Sequence, residues 1–521
     1  MRNPIAHRAT AGAAAAVAVL AVLSVPAAAA IEAITWRPCP QNDPVEKGKL
    51  RGLECGSVQV PLDHARPEGE KITLALTRAR HTTAHSQGVV LLNRGGPGAH
   101  GRDMPMLFKL GLPDSVSASY DWIGFDPRGV GGSKPAMLCD ESYQDPGRPR
   151  ADTTPANAVE ENAWRDRAAR FSADCARRYP RLLPHMGTAD WVADLDDIRA
   201  ALGQKKINYL GYSYGTYLGT VYAATHPNRV RRMVLDSIVR PSGVWYDDNL
   251  DQDMAFEKRI HAFFAWIARY DSVYHLGGDE RQVAAVYQQV RAALKANPVN
   301  ARIGATELDD MFLTDGYSNL GWPNHAKVLS DYAHGDSKTL AAAWEKPSFL
   351  DQNDYAVYNA VQCRDASWPR GWRKWHDDSV RLYREGYTFE TWSNTWYNAP
   401  CATWKVPGGP RPKVHGPANL VPILLVQGTE DAATPFNGAE ETHRLLPNSR
   451  LLVQQGGGIH GVTLNGDPCV DGAVARYFAT GALPQPNTIC KAPAPPAPTG
   501  ASQRLRGPVG VQVSAPVGSR I

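Results

Sequence analysis

Five residues, Gly211-Tyr212-Ser213-Tyr214-Gly215, constrain this chain's architecture more than any other stretch. They follow an apolar run at 206–210 that reads as a strand. They precede a helical pattern that reaches about Thr225 and is closed by His226-Pro227. Where a strand turns at once into a helix, the two backbones pass closely. The positions two before and two after the serine must then be small, and the serine is held in a strained conformation. Its hydroxyl is presented at the carboxyl end of the sheet, over a helix N-terminus that favours negative charge. A five-residue G-x-S-x-G match arises easily by chance; the strand before it and the helix after it make Ser213 a nucleophile rather than a turn residue.

The rest of the chain supplies the sheet that such a turn needs. Runs at 71–78, 88–93, 121–125, 232–236, 422–427 and 450–453 read as short strands. A helix is expected over 189–202, capped by Thr188, with Val192, Leu195, Ile198 and Leu202 on one face. Apolar runs without strict alternation, interleaved with helices, indicate an α/β fold whose mostly parallel sheet is covered on both faces. Between Ser237 and about Leu420 the pattern changes to helices, expected at 252–270, 280–296, 324–334 and 375–385, and this stretch holds ten of the 14 Trp. The expected organisation is a core at 31–240 and 411–490, with a helical, Trp-rich cap inserted at 241–410. The tryptophans suit either a peptide pocket or an aromatic core of the insertion.

A serine hydroxyl needs a base, and the base needs an acid to orient it. In this architecture the chain order is Ser, then Asp or Glu, then His. The run at 422–427 ends in Gly428-Thr429-Glu430-Asp431, which places a carboxylate on the same rim as Ser213; Asp431 is the acid and Glu430 its local rival. The next run leads into Gly456-Gly457-Gly458-Ile459-His460, and His460 is the base. Among other histidines, His226 reads as structural, while His100 lies near the rim and is the hardest to set aside. Two oxyanion donors are expected, the backbone N–H of Tyr214 and that of Gly96 in the turn after the strand at 88–93. That turn also satisfies G-x-G-x-x-G (Gly96 to Gly101), with acids following at Asp121 and Asp126, the outline of a dinucleotide site. Pro97 removes an N–H that a pyrophosphate would use, which argues against that reading. No metal or cofactor is required.

The ends define the compartment. Residues 1–30 carry Arg2 and Arg8, an apolar stretch from about Ala11 to Val25, Pro26 and Ala28-Ala29-Ala30, which reads as a cleavable signal peptide for secretion. Residues 491–521, rich in Pro and Ala and without aromatics, read as a disordered tail. Six of the chain's 56 Lys+Arg and none of its 52 Asp+Glu lie in these two ends, so the body is close to neutral and a nucleic-acid surface is not indicated. All eight Cys follow the signal, and in an oxidising compartment an even count suggests disulfides. Their clustering suggests sequential pairing: Cys39–Cys55, Cys139–Cys175, Cys363–Cys401 and Cys469–Cys490. No stable membrane association is expected after cleavage, and the chain is expected to be a monomer.

Several segments together resemble the secreted tripeptidyl aminopeptidase branch of the serine α/β-hydrolases, related to the prolyl iminopeptidases. They are Asn93–Gly98, Asp126–Ser133, Leu210–Gly219, Val234–Pro241, Val426–Pro435 and Pro468–Val470. The resemblance implies the α/β-hydrolase fold and a serine exopeptidase that releases short peptides, of tripeptide length, from free N-termini. It implies Ser213, Asp431 and His460 as triad and Gly96 and Tyr214 as oxyanion donors. Arg94, Ala99-His100 and Ile459 depart from the family pattern, and these departures bear on substrate preference rather than chemistry. An aminopeptidase must hold a protonated amine, for which Glu307, Asp309, Asp310 and Asp365 are the candidate carboxylates. The alternatives are a secreted esterase or lipase of the same fold, a prolyl aminopeptidase, or a binding protein that has lost catalysis.

Overall fold

Successive side chains of an extended strand point to opposite sides, so a strand apolar throughout must be covered on both. The computed structural model describes Met1 and residues 32–498. Within them ten strands form one sheet. They are β1 (Arg37–Pro38), β2 (Glu54–Pro61), β3 (Lys71–Ala79), β4 (Val89–Asn93), β5 (Asp121–Asp126), β6 (Ile207–Ser213), β7 (Val230–Ile238), β8 (Ile423–Gly428), β9 (Ser449–Gln455) and β10 (Ile489–Lys491). The order across the sheet is β1-β2-β3-β5-β4-β6-β7-β8-β9-β10. β1, β2, β3 and β5 pair antiparallel in turn, and from β5 to β10 every pairing is parallel.

The central strands show the expected alternation. Val89 and Leu91 of β4 and Ile423 and Leu425 of β8 enter one core; Val90, Leu92, Leu424 and Val426 enter the other. Helices Thr188–Ala201 and Tyr214–Thr225 cover the first face, through Trp191, Leu195, Leu218 and Val221. Helices Met104–Gly111 and Pro468–Thr480 cover the second, through Phe108, Val474 and Phe478. Each fully buried aliphatic or aromatic side chain contributes about 1.5–3 kcal/mol. This two-sided burial holds the β4, β6 and β8 ends in register.

Thr188 is the first residue of its helix rather than the cap, which is Gly187. Its hydroxyl instead donates to Asp365 (2.6 Å) and meets the Tyr214 hydroxyl (2.8 Å). Between β7 and β8, helices Tyr246–Arg269, Glu280–Ala296, Ala305–Tyr317 and Trp322–Ala333 enclose a core of their own around Phe263, Trp266, Phe312 and Trp322. Helix Phe349–Asp365 behaves differently: Tyr355, Val357 and Val361 join the core under the sheet. Several tryptophans stack on one another, Trp164 on Trp396 at 5.7 Å, Trp372 on Trp396 at 5.1 Å and Trp368 on Trp375 at 5.6 Å, and Trp164 and Trp396 also line a cavity with Tyr143 and Arg150.

All four disulfides join the pairs expected from sequential clustering. Cys363–Cys401 closes 38 residues and ties helix Phe349–Asp365 to the chain that returns to the sheet. Loop-closure entropy for that length is about 4 kcal/mol. Replacing both cysteines by serine is expected to lower the melting temperature by about 4 °C for a chain of this size, read by calorimetry.

Residues 491–498, expected in the tail, pack on the folded body instead. Lys491 belongs to β10, the Ala492 N–H donates to the Gln455 carbonyl (3.0 Å), and the Trp266 indole N–H donates to the Pro496 carbonyl (3.2 Å). The signal segment, but for Met1, and residues 499–521 lie outside the described residues. No helix among the described residues is long and apolar enough to cross a membrane.

Candidate active site

Ser213 ends β6 and caps the helix that follows, with φ 57° and ψ −125°. A non-glycine residue reaches this region only when its surroundings impose it. Here they do: a Cβ on Gly211 would lie 2.4 Å from the Gly215 carbonyl oxygen, so strand and helix pass with no room for a side chain. Gly95, at φ 107°, lies against the same turn, where an added Cβ would come within 2.9 Å of the Ser213 Cβ. The Gly95-Gly96 turn and the first N–H groups of helix Tyr214–Thr225 therefore share one rim. Those N–H groups have no partner within their own helix.

Asp431 follows β8 in a tight turn, where its carboxylate accepts the N–H groups of Ala433 (3.0 Å) and Thr434 (3.1 Å) and the Thr434 hydroxyl (3.0 Å). His460 Nδ1 lies 3.0 and 2.9 Å from its two oxygens, with both side chains fully buried. Burial pushes the Asp431 pKa up; the His460 ring and the Thr434 N–H more than offset it and hold the carboxyl below its ordinary value. Glu430, the local rival, is half-exposed and faces Arg259 instead. With Nδ1–H on the carboxylate, Nε2 of His460 is left as an acceptor. That Nε2 and the Ser213 Oγ are both buried, and neither has a hydrogen-bond partner among the described residues. The His–Asp link is closed, and the Ser–His link is not formed as a hydrogen bond.

The loop carrying His460 is held from below by residues that sequence reasoning did not single out. Asp236, fully buried near the end of β7, accepts the N–H groups of Val462 (2.9 Å) and Thr463 (2.7 Å) and the Thr463 hydroxyl (2.5 Å). Ser237, at φ 63°, accepts the Gly461 N–H at 2.7 Å. Tyr212, next to the nucleophile, donates its hydroxyl to the Thr463 carbonyl at 2.9 Å. From the inserted helices, the Tyr317 carbonyl accepts the His460 N–H at 2.8 Å. The sequence signal for this clamp is the Val234–Pro241 segment, whose family resemblance does not by itself mark Asp236.

The candidate amine-binding carboxylates are engaged elsewhere. Glu307 accepts the Arg150 N–H (3.0 Å) and the Gly304 N–H (2.9 Å), and Asp310 pairs with Arg150. Asp309 accepts the Tyr287 hydroxyl (2.6 Å) and Arg291 (2.9 Å). Asp365 accepts from Thr188 and from the Trp245 indole N–H (3.1 Å), with burial pushing its pKa up to about 6. Beside the rim lies a pocket lined by Gly96, Tyr214, Trp245, Asp248, Asn249, Gln252 and Thr434, among others. Asp248 is the carboxylate on its wall. Asp248 Oδ1 lies 3.3 Å from the Arg240 Nε, and its buried Oδ2 accepts no hydrogen bond among the described residues. The insertion thus contributes an acid to this pocket, but not one of the four anticipated.

The fold and the rim are those of a known group. Residues 88–461 match the family pattern described as alpha/beta hydrolase fold, which is most of the chain. The chain belongs to the alpha/beta hydrolase family. This alpha/beta hydrolase is 40% identical over 485 residues to a tripeptidyl aminopeptidase of Streptomyces coelicolor, covering 91% of this chain and 88% of the relative. It is 32% identical over 483 residues to the serine protease Hip1 of Mycobacterium bovis, covering 88% and 91%. It is also 31% identical over 480 residues to a carboxylesterase B of Mycobacterium tuberculosis, covering 88% and 89%. The relatives mark it as a serine hydrolase.

Proposed function

We propose that this alpha/beta hydrolase is a secreted aminopeptidase that releases tripeptides from free N-termini through an acyl-enzyme. The buried His460–Asp431 pair on the rim of the Ser213 turn carries the chemical part of this reading; the likeness to the tripeptidyl aminopeptidase carries the specificity. Ser213 Oγ attacks the scissile carbonyl while His460 Nε2 takes its proton. The oxyanion is met by the N–H groups of Tyr214 and Gly96. His460 then protonates the leaving amine, and water resolves the ester by the reverse sequence, with Asp431 fixing the imidazole tautomer throughout. Closing the Ser213–His460 hydrogen bond is assigned to substrate binding, since such bonds commonly tighten only in the complex. Four disulfides support an oxidising compartment.

Asp248 is assigned as the anchor for the substrate's ammonium. Burial pushes its pKa well above the ordinary value; Arg240 opposes this, and Asp251, Glu441 and Asp247 add to it. A carboxylate so short of counter-charge gains from an incoming cation. Asp248→Asn is expected to raise KM for free-amine peptides about 10–100-fold with kcat little changed, a charged hydrogen bond contributing about 1.5–3 kcal/mol. An equal effect on N-acetylated peptides would remove Asp248 from this role.

The second reading, a carboxylesterase, is favoured by the third relative. Product analysis separates the two. Mass spectrometry of digests of a free and an N-acetylated hexapeptide should show tripeptide products from the free form alone. Turnover of simple esters with no preference for a free amine, and no peptide cleavage, would select the esterase.

A further inference from the structure

Outside the Ser213 rim, one cluster of donor side chains lacks the partners that burial demands. Glu46 is 1% exposed, and neither of its carboxylate oxygens has a hydrogen-bond partner among the described residues. A buried carboxylate without partners is costly unless something neutralises it. His100, the histidine hardest to set aside from sequence, faces it: its Nε2 lies 3.6 Å from Glu46 Oε2 and 3.9 Å from Asp103 Oδ2, and it too is buried without a hydrogen bond. One donor atom from each of the three residues lies within 4.8 Å of the others. Ligands about 2.0–2.2 Å from a shared ion sit roughly 3–3.5 Å apart, so the three side chains must draw together to close the set, Glu46 and Asp103 as well as His100.

We propose that Glu46, His100 and Asp103 bind one divalent transition-metal cation, a site separate from the serine chemistry, which needs none. An imidazole with two carboxylates is a donor set suited to Zn2+ and its neighbours rather than to hard cations that take oxygen alone. Four carboxylates meet here, Asp43, Glu46, Asp103 and Asp126, against the guanidiniums of Arg94 and Arg102, with Lys49 as a further positive charge in the Glu46 surroundings.

The ligand backbones are already fixed. Asp43 accepts the Glu46 N–H (2.9 Å) and is held by Arg102 (2.9 Å); Arg102 also binds Asp126 (2.8 Å), which accepts the Gly101 N–H beside His100 (2.9 Å). Two other clusters of ligand type occur among the described residues and differ in kind. In one, Cys469 and Cys490 are joined as a disulfide; in the other, Arg128 already binds Asp194 and His64. The loop that would be held by the ion begins four residues after Gly96, so loading would stiffen the oxyanion turn.

The test is calorimetric titration of the chelator-stripped full chain with ZnCl2, alongside Glu46→Gln and His100→Gln, each checked for folding by circular dichroism. The expected result is one Zn2+ per chain, with affinity at least tenfold weaker in both variants. Thermal unfolding should show a melting temperature raised by about 3 °C at free Zn2+ a hundred times the dissociation constant, absent in the variants. His460 and Asp431 are intact in both variants. Uptake of equal affinity in all three proteins, or no uptake by the parent chain, would overturn the site.

Discussion

Ser213→Ala is expected to lower kcat/KM by about five to six orders of magnitude while leaving the fold intact. Removing the nucleophile from a serine triad leaves only what the oxyanion donors and substrate binding provide, roughly 10³–10⁴ over water. Alanine must occupy the same backbone conformation, φ 57°, which Gly95, Gly211 and the β6–β7 pairing impose regardless of the hydroxyl. The serine hydroxyl makes no hydrogen bond among the described residues, so its loss leaves no partner unsatisfied. Activity with short peptide amides, read beside a melting curve within about 1 °C of the parent, checks both halves. Residual activity above a hundredth of the parent would mean that the nucleophile lies elsewhere.

Asp431→Asn is expected to cost about four orders of magnitude in kcat, roughly 5 kcal/mol of transition-state stabilisation. The amide is nearly the same size and can keep the Ala433 and Thr434 N–H bonds through its oxygen. What changes is the imidazole: with an N–H donor facing Nδ1, the ring takes the other tautomer and turns Nε2–H toward the serine, where no proton can be accepted. The pH behaviour follows from the sign of the Asp431 shift. Its pKa lies below 3.8 in the folded chain, so the anion, and the stability it brings, is present above the ordinary carboxylate range and is lost only as pH falls through the lowered value.

Parts of this architecture were legible because burial is two-sided and local. Strands β4, β6 and β8 are buried at every position; β4 and β8 read as apolar runs with turn residues at their ends, and β6 as one broken by the buried Asn208. Helix Glu280–Ala296 was readable to the residue from the stripe Val283, Tyr287, Val290 and Leu294, which its own core buries. Helix Phe349–Asp365 was missed for the opposite reason. Asp351, Gln352, Asn353, Asp354, Asn359, Gln362 and Asp365 are all buried in it, so no apolar periodicity marks the helix. Helix Ala158–Arg178 hides its stripe of Trp164, Ala168, Phe171 and Cys175 among charged residues.

The site divides along the same line. Ser213 ends β6, Asp431 and His460 follow β8 and β9, and chain order places them. The fate of the inserted carboxylates depends on arginines distant in sequence. Arg150 takes Glu307 and Asp310, which lie 157 and 160 positions away, and nothing near those acids announces it. Asp236 shows the converse: a carboxylate inside a strand pattern carries the His460 loop, because three donors more than 220 residues downstream fold back onto it.

The proposed mechanism makes Ser213, driven by His460 and Asp431, the one nucleophile. The direct measurement is reaction of the purified chain with a fluorophosphonate, followed by intact mass and peptide mapping. One adduct per chain, on Ser213, abolished in Ser213→Ala and slowed by several orders in Asp431→Asn, is the predicted result. An adduct on another side chain, or no adduct on a protein that still cleaves peptides, would contradict it.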